Sequence, residues 1–246
     1  GKVGIGTSSN LQGTLTVFNG DDFSTASNNS SDNIYLISDA TSGDGVYGAS
    51  ISFSRVQYPD RKGAAITAVQ KGSDEDNVGL AFFTHPSAGA TDPIVETMRI
   101  DAAGYVTKPF HPIISVSRDN NGITMTANED LFASTSMLNW VVQGITHNTS
   151  NGRFTVPVAG KYYVHFFSMK HQNVTAYFRV NKNGADTLGL RIYNAVNYSG
   201  GSWHPYGLGG VFTLAANDYL NVVAPSGGTS IAHGQNHMNF TIHLIG

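Results

Sequence analysis

Residues 152–166 read GRFTVPVAGKYYVHF, and this run decides the fold. Pro157 lacks a backbone donor and suits a strand end, while Gly160 supplies a sharp turn. From Gly160 onward the side chains alternate. Tyr162, Val164 and Phe166 line one face of the predicted strand, and Tyr163, His165, Phe167 and Met169 line the other. Both faces are apolar or aromatic, so neither is suited to open water. A lone sandwich needs only one such face. The economical expectation is that the first face enters a domain core and the second meets a neighbouring subunit.

Working outward, the same alternation recurs at Leu15 and Val17, Ile34 and Leu36, Ile51 and Phe53, Val156 and Val158, and Leu220 and Val222. Turn clusters separate these pairs, among them residues 19–22 (NGDD), 42–45 (SGDG), 120–122 (NNG) and 226–228 (SGG). No stretch sustains a helical period, and frequent short strands with turn signals indicate an all-β chain. Pro109 and Pro112 follow Lys108 between strand-like stretches, and prolines make stiff connectors that add few ladder bonds. They place a boundary between a first module, residues 1–108, and a second, residues 109–246.

Composition narrows the class. Only 13% of the 246 residues are charged, well below the roughly 25% usual in soluble domains. Glycine occurs 28 times, cysteine is absent, and the formal net charge is −3. No basic run is present, which argues against nucleic acid as the partner. Without cysteine neither disulfides nor thiolate metal sites are available, so durability outside a cell would come from oligomerisation. No apolar stretch has the length of a membrane span. The sequence begins at Gly1, and a fragment is expected, with localisation signals upstream.

Motifs for chemistry are weak. Residues 43–48 (GDGVYG) match G-x-G-x-x-G, but the alternating residues 50–53 follow where a dinucleotide site needs a helix, so a turn is expected. Residues 74–77 (DEDN) lack calcium-loop spacing and read as a solvated hairpin tip. His233 and His237 share a face of an extended segment, and His165 and His171 sit at the ends of the central strand. Three copies of a histidine near a threefold axis could hold a metal, yet polar or interface roles are commoner, and no metal or cofactor is expected. No nucleophile elbow, zinc-protease motif or carboxylate pair can be named, so the expectation is not an enzyme. The most promising recognition stretch is residues 193–206, YNAVNYSGGSWHPY. There Tyr193, Tyr198, Trp203 and Tyr206 surround a small loop with Asn197 and His204, residue types that stack on sugars and bond their hydroxyls. The bland alternative is that Trp203 and Tyr206 plug the core or a subunit seam.

The 152–166 run, together with residues 177–184 (YFRVNKNG), 211–220 (VFTLAANDYL) and 240–246 (FTIHLIG), resembles the globular head of complement component 1q, a jelly roll related to the tumour necrosis factor trimers. Val164 departs from the pattern where an aromatic is commoner, and Asn217 where glycine is usual; Asn tolerates a left-handed backbone. Residues 1–7 (GKVGIGT) and 98–106 (MRIDAAGYV) resemble two pieces of a phage tail-fibre stalk motif, with 49–55 and 79–84 similar to strands of such modules. The resemblances imply a homotrimer: a stalk module carrying a jelly-roll head, with Tyr163, His165, Phe167 and Met169 at the subunit interface. The function so implied is an extracellular adhesive tip, on a virion tail or a bacterial surface, binding a target-cell glycan or other envelope molecule. The alternatives are a purely structural trimerisation cap and, third, a glycan-degrading tailspike.

Overall fold

A computed structural model describes residues 3–5, 15–17, 25, 32, 34–57, 60–89, 92–119, 123–171, 175–194, 203–225, 230–232 and 237–246. The chain divides into two compact units, Gly1–Lys108 and Pro109–Gly246, both built of strands.

In the first unit β1 (Val3–Ile5) and β2 (Leu15–Val17) form a parallel pair. The strands β3 (Tyr47–Phe53), β4 (Ala64–Gln70), β5 (Val78–Thr84), β6 (Val95–Ile100) and β7 (Val106–Thr107) follow in chain order as one antiparallel sheet. Residues 98–106 prove to be a hairpin with a physical reason for its spacing. The Asp101 carboxylate accepts from the Ala103 and Tyr105 amides, and Gly104 takes the left-handed conformation, φ 87°. Residues 43–48 form a turn running into β3, with Gly45 left-handed at φ 79°. The acidic residues 74–77 cap the exposed β4–β5 turn, where Asp74 accepts from the Asp76 amide. The strand expected at Ile34 and Leu36 does not form. Residues 34–40 lack ladder pairing, and Ile34 and Leu36 are exposed.

The second unit contains β8 (Ile113–Arg118), β9 (Ile123–Met125), β10 (Met137–Gln143), β11 (Thr146–Asn148), β12 (Arg153–Thr155), β13 (Gly160–His171), β14 (Ala176–Lys182), β15 (Arg191–Asn194), β16 (Trp203–Leu214), β17 (Tyr219–Val223), β18 (Ser230–Ala232) and β19 (Asn239–Leu244). Sheet I has the order β10-β8-β19-β13-β16 and sheet II the order β11-β12-β17-β14-β15, while β18 pairs with β9. Passing from β12 to β13, β13 to β14, β15 to β16 and β16 to β17, the chain changes sheet each time. The result is a jelly roll.

Its core follows from the alternation in β13. Tyr162, Val164 and Phe166 are fully buried, facing Phe178 and Val180 of β14 and Leu220 and Val222 of β17. Phe132, Phe154 and Phe240 interlock with centroids 5.0–5.6 Å apart. Two turns lock to each other beside this core. Asn217 adopts φ 68°, the left-handed backbone that glycine would otherwise supply. Asp218 accepts from the Ala215 amide at 2.7 Å and from the Asn183 side chain at 2.7 Å, and pairs with Lys182 at 2.8 Å. Burial alone would raise its pKa, but the bonds from Lys182, Asn183 and Ala215 outweigh that and hold the carboxyl below its usual range.

Candidate functional site

Two surfaces of the jelly roll stand out, and β13 contributes to both. The first is the outer face of sheet I. Tyr163, His165, Phe167 and Met169 project from it and are each half-buried. Ladder register arranges their neighbours in rows. Tyr163 lies between Val211 and His243, His165 between Gly209 and Thr241, and Phe167 between Gly207 and Asn239. Tyr163 stacks on His165 with centroids 6.1 Å apart and approaches His243 at 5.3 Å. The glycines of β16 make room for these rings. A Cβ on Gly209 would stand 3.1 Å from the His165 ring and 3.1 Å from the Val164 carbonyl oxygen.

The polar groups on this face satisfy one another. The Asn239 amide donates to Ser115 Oγ at 2.7 Å, and Thr241 Oγ1 donates to Asn239 Oδ1 at 2.6 Å. Thr241 has thereby used its one proton, so Ser115 Oγ donates to Thr241 Oγ1 across 3.1 Å and closes a ring of three. Such a ring can be covered by apolar surface without orphaning a donor. The apolar character reaches the sheet edges, where Val211 on β16 and Trp140, Val141 and Val142 on β10 are exposed. Sequence reading missed the β10 residues. The signal was present in three consecutive large apolar residues, but a register break between Asn139 and Val141 hides the alternation.

The second surface is one end of the sandwich. Tyr193, near the end of edge strand β15, is 67% exposed and meets Tyr177 edge-on at 5.4 Å. Trp203 opens edge strand β16, 38% exposed, in register with His171; His204 is half-buried opposite Lys170. Tyr206 corrects the expectation. It is 6% exposed, stacks on Phe178 at 6.0 Å and 8°, and lies edge-on to Phe166. Burial pushes its phenol well up, offset in part by Ser168. It is a core residue and cannot stack on a ligand. The reason is register: β16 starts at Trp203, and Tyr206 pairs with inward-facing Ser168. Asn197 and Tyr198 lie outside the described residues, as does His233.

Beneath this end sits Lys170, fully buried, whose Nζ donates to the Asn194 carbonyl at 2.9 Å. Burial lowers its pKa. The inward series Tyr162, Val164, Phe166, Ser168, Lys170 could have revealed it from sequence. Among the described residues no three His, Asp or Glu side chains converge as metal ligands, and His237 is exposed. None of the described helices is long and apolar enough to cross a membrane.

No protein-family model matches the chain, and no curated protein does. Among solved structures it is similar to a tumour necrosis factor of Spodoptera frugiperda named Eiger: 12% identity, 55% of this chain, 93% of that one, TM-score 0.44. It is similar to the globular domain of zebrafish complement 1qA, at 19% identity, 55% and 98% coverage and TM-score 0.40. Murine APRIL matches at 15% identity over 55% of this chain and 99% of its own, TM-score 0.42. Residues 109–246 form a jelly roll by their own strand order, in two five-stranded sheets.

Proposed function

We propose that the chain is the tip of a homotrimeric extracellular fibre whose head recognises a target-cell glycan or other envelope molecule non-covalently. The outer face of sheet I carries this reading: aromatic side chains surround a polar ring that already satisfies itself, a surface suited to a second copy rather than to water. The first unit supports it independently. Ile51, Ile66, Phe82 and Met98 form one ladder row across four strands of a single open sheet, and Ile51 is 48% exposed. Contiguous apolar surface of this kind marks an interaction face. The low charge and absence of cysteine fit an appendage that draws its durability from assembly.

In a trimer the Tyr193 and Trp203 end is presented three times, and linked weak sites gain effective concentration. No covalent chemistry is needed. The fibre would belong to a phage tail or a bacterial surface, with residues 1–108 as its stalk module. The second reading, a structural cap, draws on the same apolar face and dispenses with the Tyr193 and Trp203 surface.

Light scattering on the whole chain should give three times the monomer mass, and a monomer overturns the assembly reading. Glycan-array binding that disappears in Trp203→Ala, with the trimer intact, supports the adhesin. Trimer without any array signal favours the cap. Dissociation by Trp203→Ala places that residue at a seam and rejects the proposed site.

A further inference from the structure

The first unit holds a basic concavity that neither surface above involves. Arg55 and the pair Arg61-Lys62 are separated in sequence, but the β3–β4 hairpin returns them to one tip. Ser54 Oγ donates to the Arg61 carbonyl at 2.7 Å and the Gly63 amide to the Phe53 carbonyl at 2.8 Å, closing that tip. The β5–β6 connection faces it with His85, Ser87, Ala88 and Gly89. Together they enclose a cavity of 460 Å³. Three of the chain's 14 Lys and Arg residues thus meet in one hollow.

Charge is sorted here. Among the described residues no carboxylate lines the hollow; Asp60 and Asp92 line the adjoining one, which shares Arg61, Lys62 and His85 with it, and the Asp92 carboxylate borders the hollow at Ser87 and Gly89. Asp92 is engaged by the Ser87 hydroxyl. Among the described residues neither Arg55 nor Lys62 has an ion pair, in contrast to Arg99, which Glu96 holds at 2.6 Å. His85 Nδ1 donates to the Ser87 carbonyl at 2.6 Å, which fixes the ring and leaves Nε2 available. Converging cations in a concavity raise the local potential well above that of scattered surface charges.

We propose that this hollow is an oxyanion-binding site for an acidic saccharide, with Arg55 and Lys62 gripping a carboxylate or phosphate and neighbouring hydroxyls meeting Ser87 and His85. The site stands on the first unit alone and is separate from any ligand of the head. Calorimetric titration of the full chain at fixed ionic strength, with inorganic phosphate, glucuronic acid and glucose, tests it. One anion should saturate and glucose should not. Preference for phosphate assigns a phosphorylated polymer, and preference for glucuronic acid a uronic-acid one. Arg55→Gln and Lys62→Gln should each weaken binding about tenfold, the scale of a charge-assisted bond, with Tm unchanged; Lys71→Gln should not weaken it. A crystal soaked with the preferred anion should show it between Arg55 and Lys62 without any substitution. Absence of saturation by either anion, equal response to glucose, unchanged affinity in both variants, or an empty hollow after soaking overturns the proposal.

Discussion

The two outer faces of the jelly roll are built from the same alternating strands yet have opposite chemistry. Sheet II shows water a charged surface. Asp186 pairs with Arg191 at 2.5 Å and with Arg179 at 3.7 Å, and Arg153 lies 4.3 Å above the Tyr219 ring. Sheet I, from Tyr163 to Met169 along β13, carries no charged side chain outward, only rings, a thioether and a closed polar triad. Solvent can solvate the first face at little cost, and the second is the one the proposed trimer would cover. Alternation therefore tells which residues share a face; their chemistry tells what the face meets.

The comparison breaks most sharply under a misplaced charge. If the proposed trimer closes on sheet I, Phe167→Asp would bury an unpaired carboxylate at each subunit seam, at about 3–5 kcal/mol apiece. Sedimentation should then report a monomer, while Thr155→Asp on sheet II stays trimeric; a trimeric Phe167→Asp variant would remove sheet I from the interface. Next in size is the buried aromatic. Tyr206→Ala should lower stability by about 3–5 kcal/mol in denaturant melts, whereas Tyr193→Ala should change it by less than about 0.5 kcal/mol.

Asp218→Ala removes the acceptor shared by two turns and should cost about 2 kcal/mol. Because the folded carboxyl titrates below the ordinary aspartate range, its contribution is complete above that range and is lost as pH falls through the lower folded pKa. Melts between pH 5 and 2, a range set by ordinary carboxylate titration, should be less steep in the variant. The smallest effect belongs to sheet II itself. Arg191→Ala should cost about 0.5 kcal/mol or less and fade with salt, as exposed pairs do. A larger loss would mean that the face is more than a solvated one.

Much of this was legible in the sequence. Gly160 to Met169 declared a strand with two apolar faces, and Asn217 could be read as a left-handed turn residue. Tyr206 was legible only in the alternative that it plugs the core, for a definite reason. The stretch Pro205, Gly207, Gly209 and Gly210 looks hostile to a strand, and residues 193–206 read as aromatic rings around a small loop. In fact β16 lies at the sheet edge, where a proline lacking its N–H is tolerated. Its glycines form a shelf beneath the His165 and Phe167 rings rather than a loop. Arg55, Arg61 and Lys62 stayed hidden because only hairpin closure unites them.

Lys170 has a further consequence. Its bond to Asn194 ties the end of β15 to the end of β13, and the neighbouring His171 pairs with Trp203 at the start of β16. Both anchors come from the last two residues of a single strand. The end of β13 therefore joins the two sheets here: Lys170 reaches β15 of sheet II while His171 holds β16 of sheet I. A buried cation thus acts as a directional clasp between two sheets that apolar packing elsewhere holds together without direction.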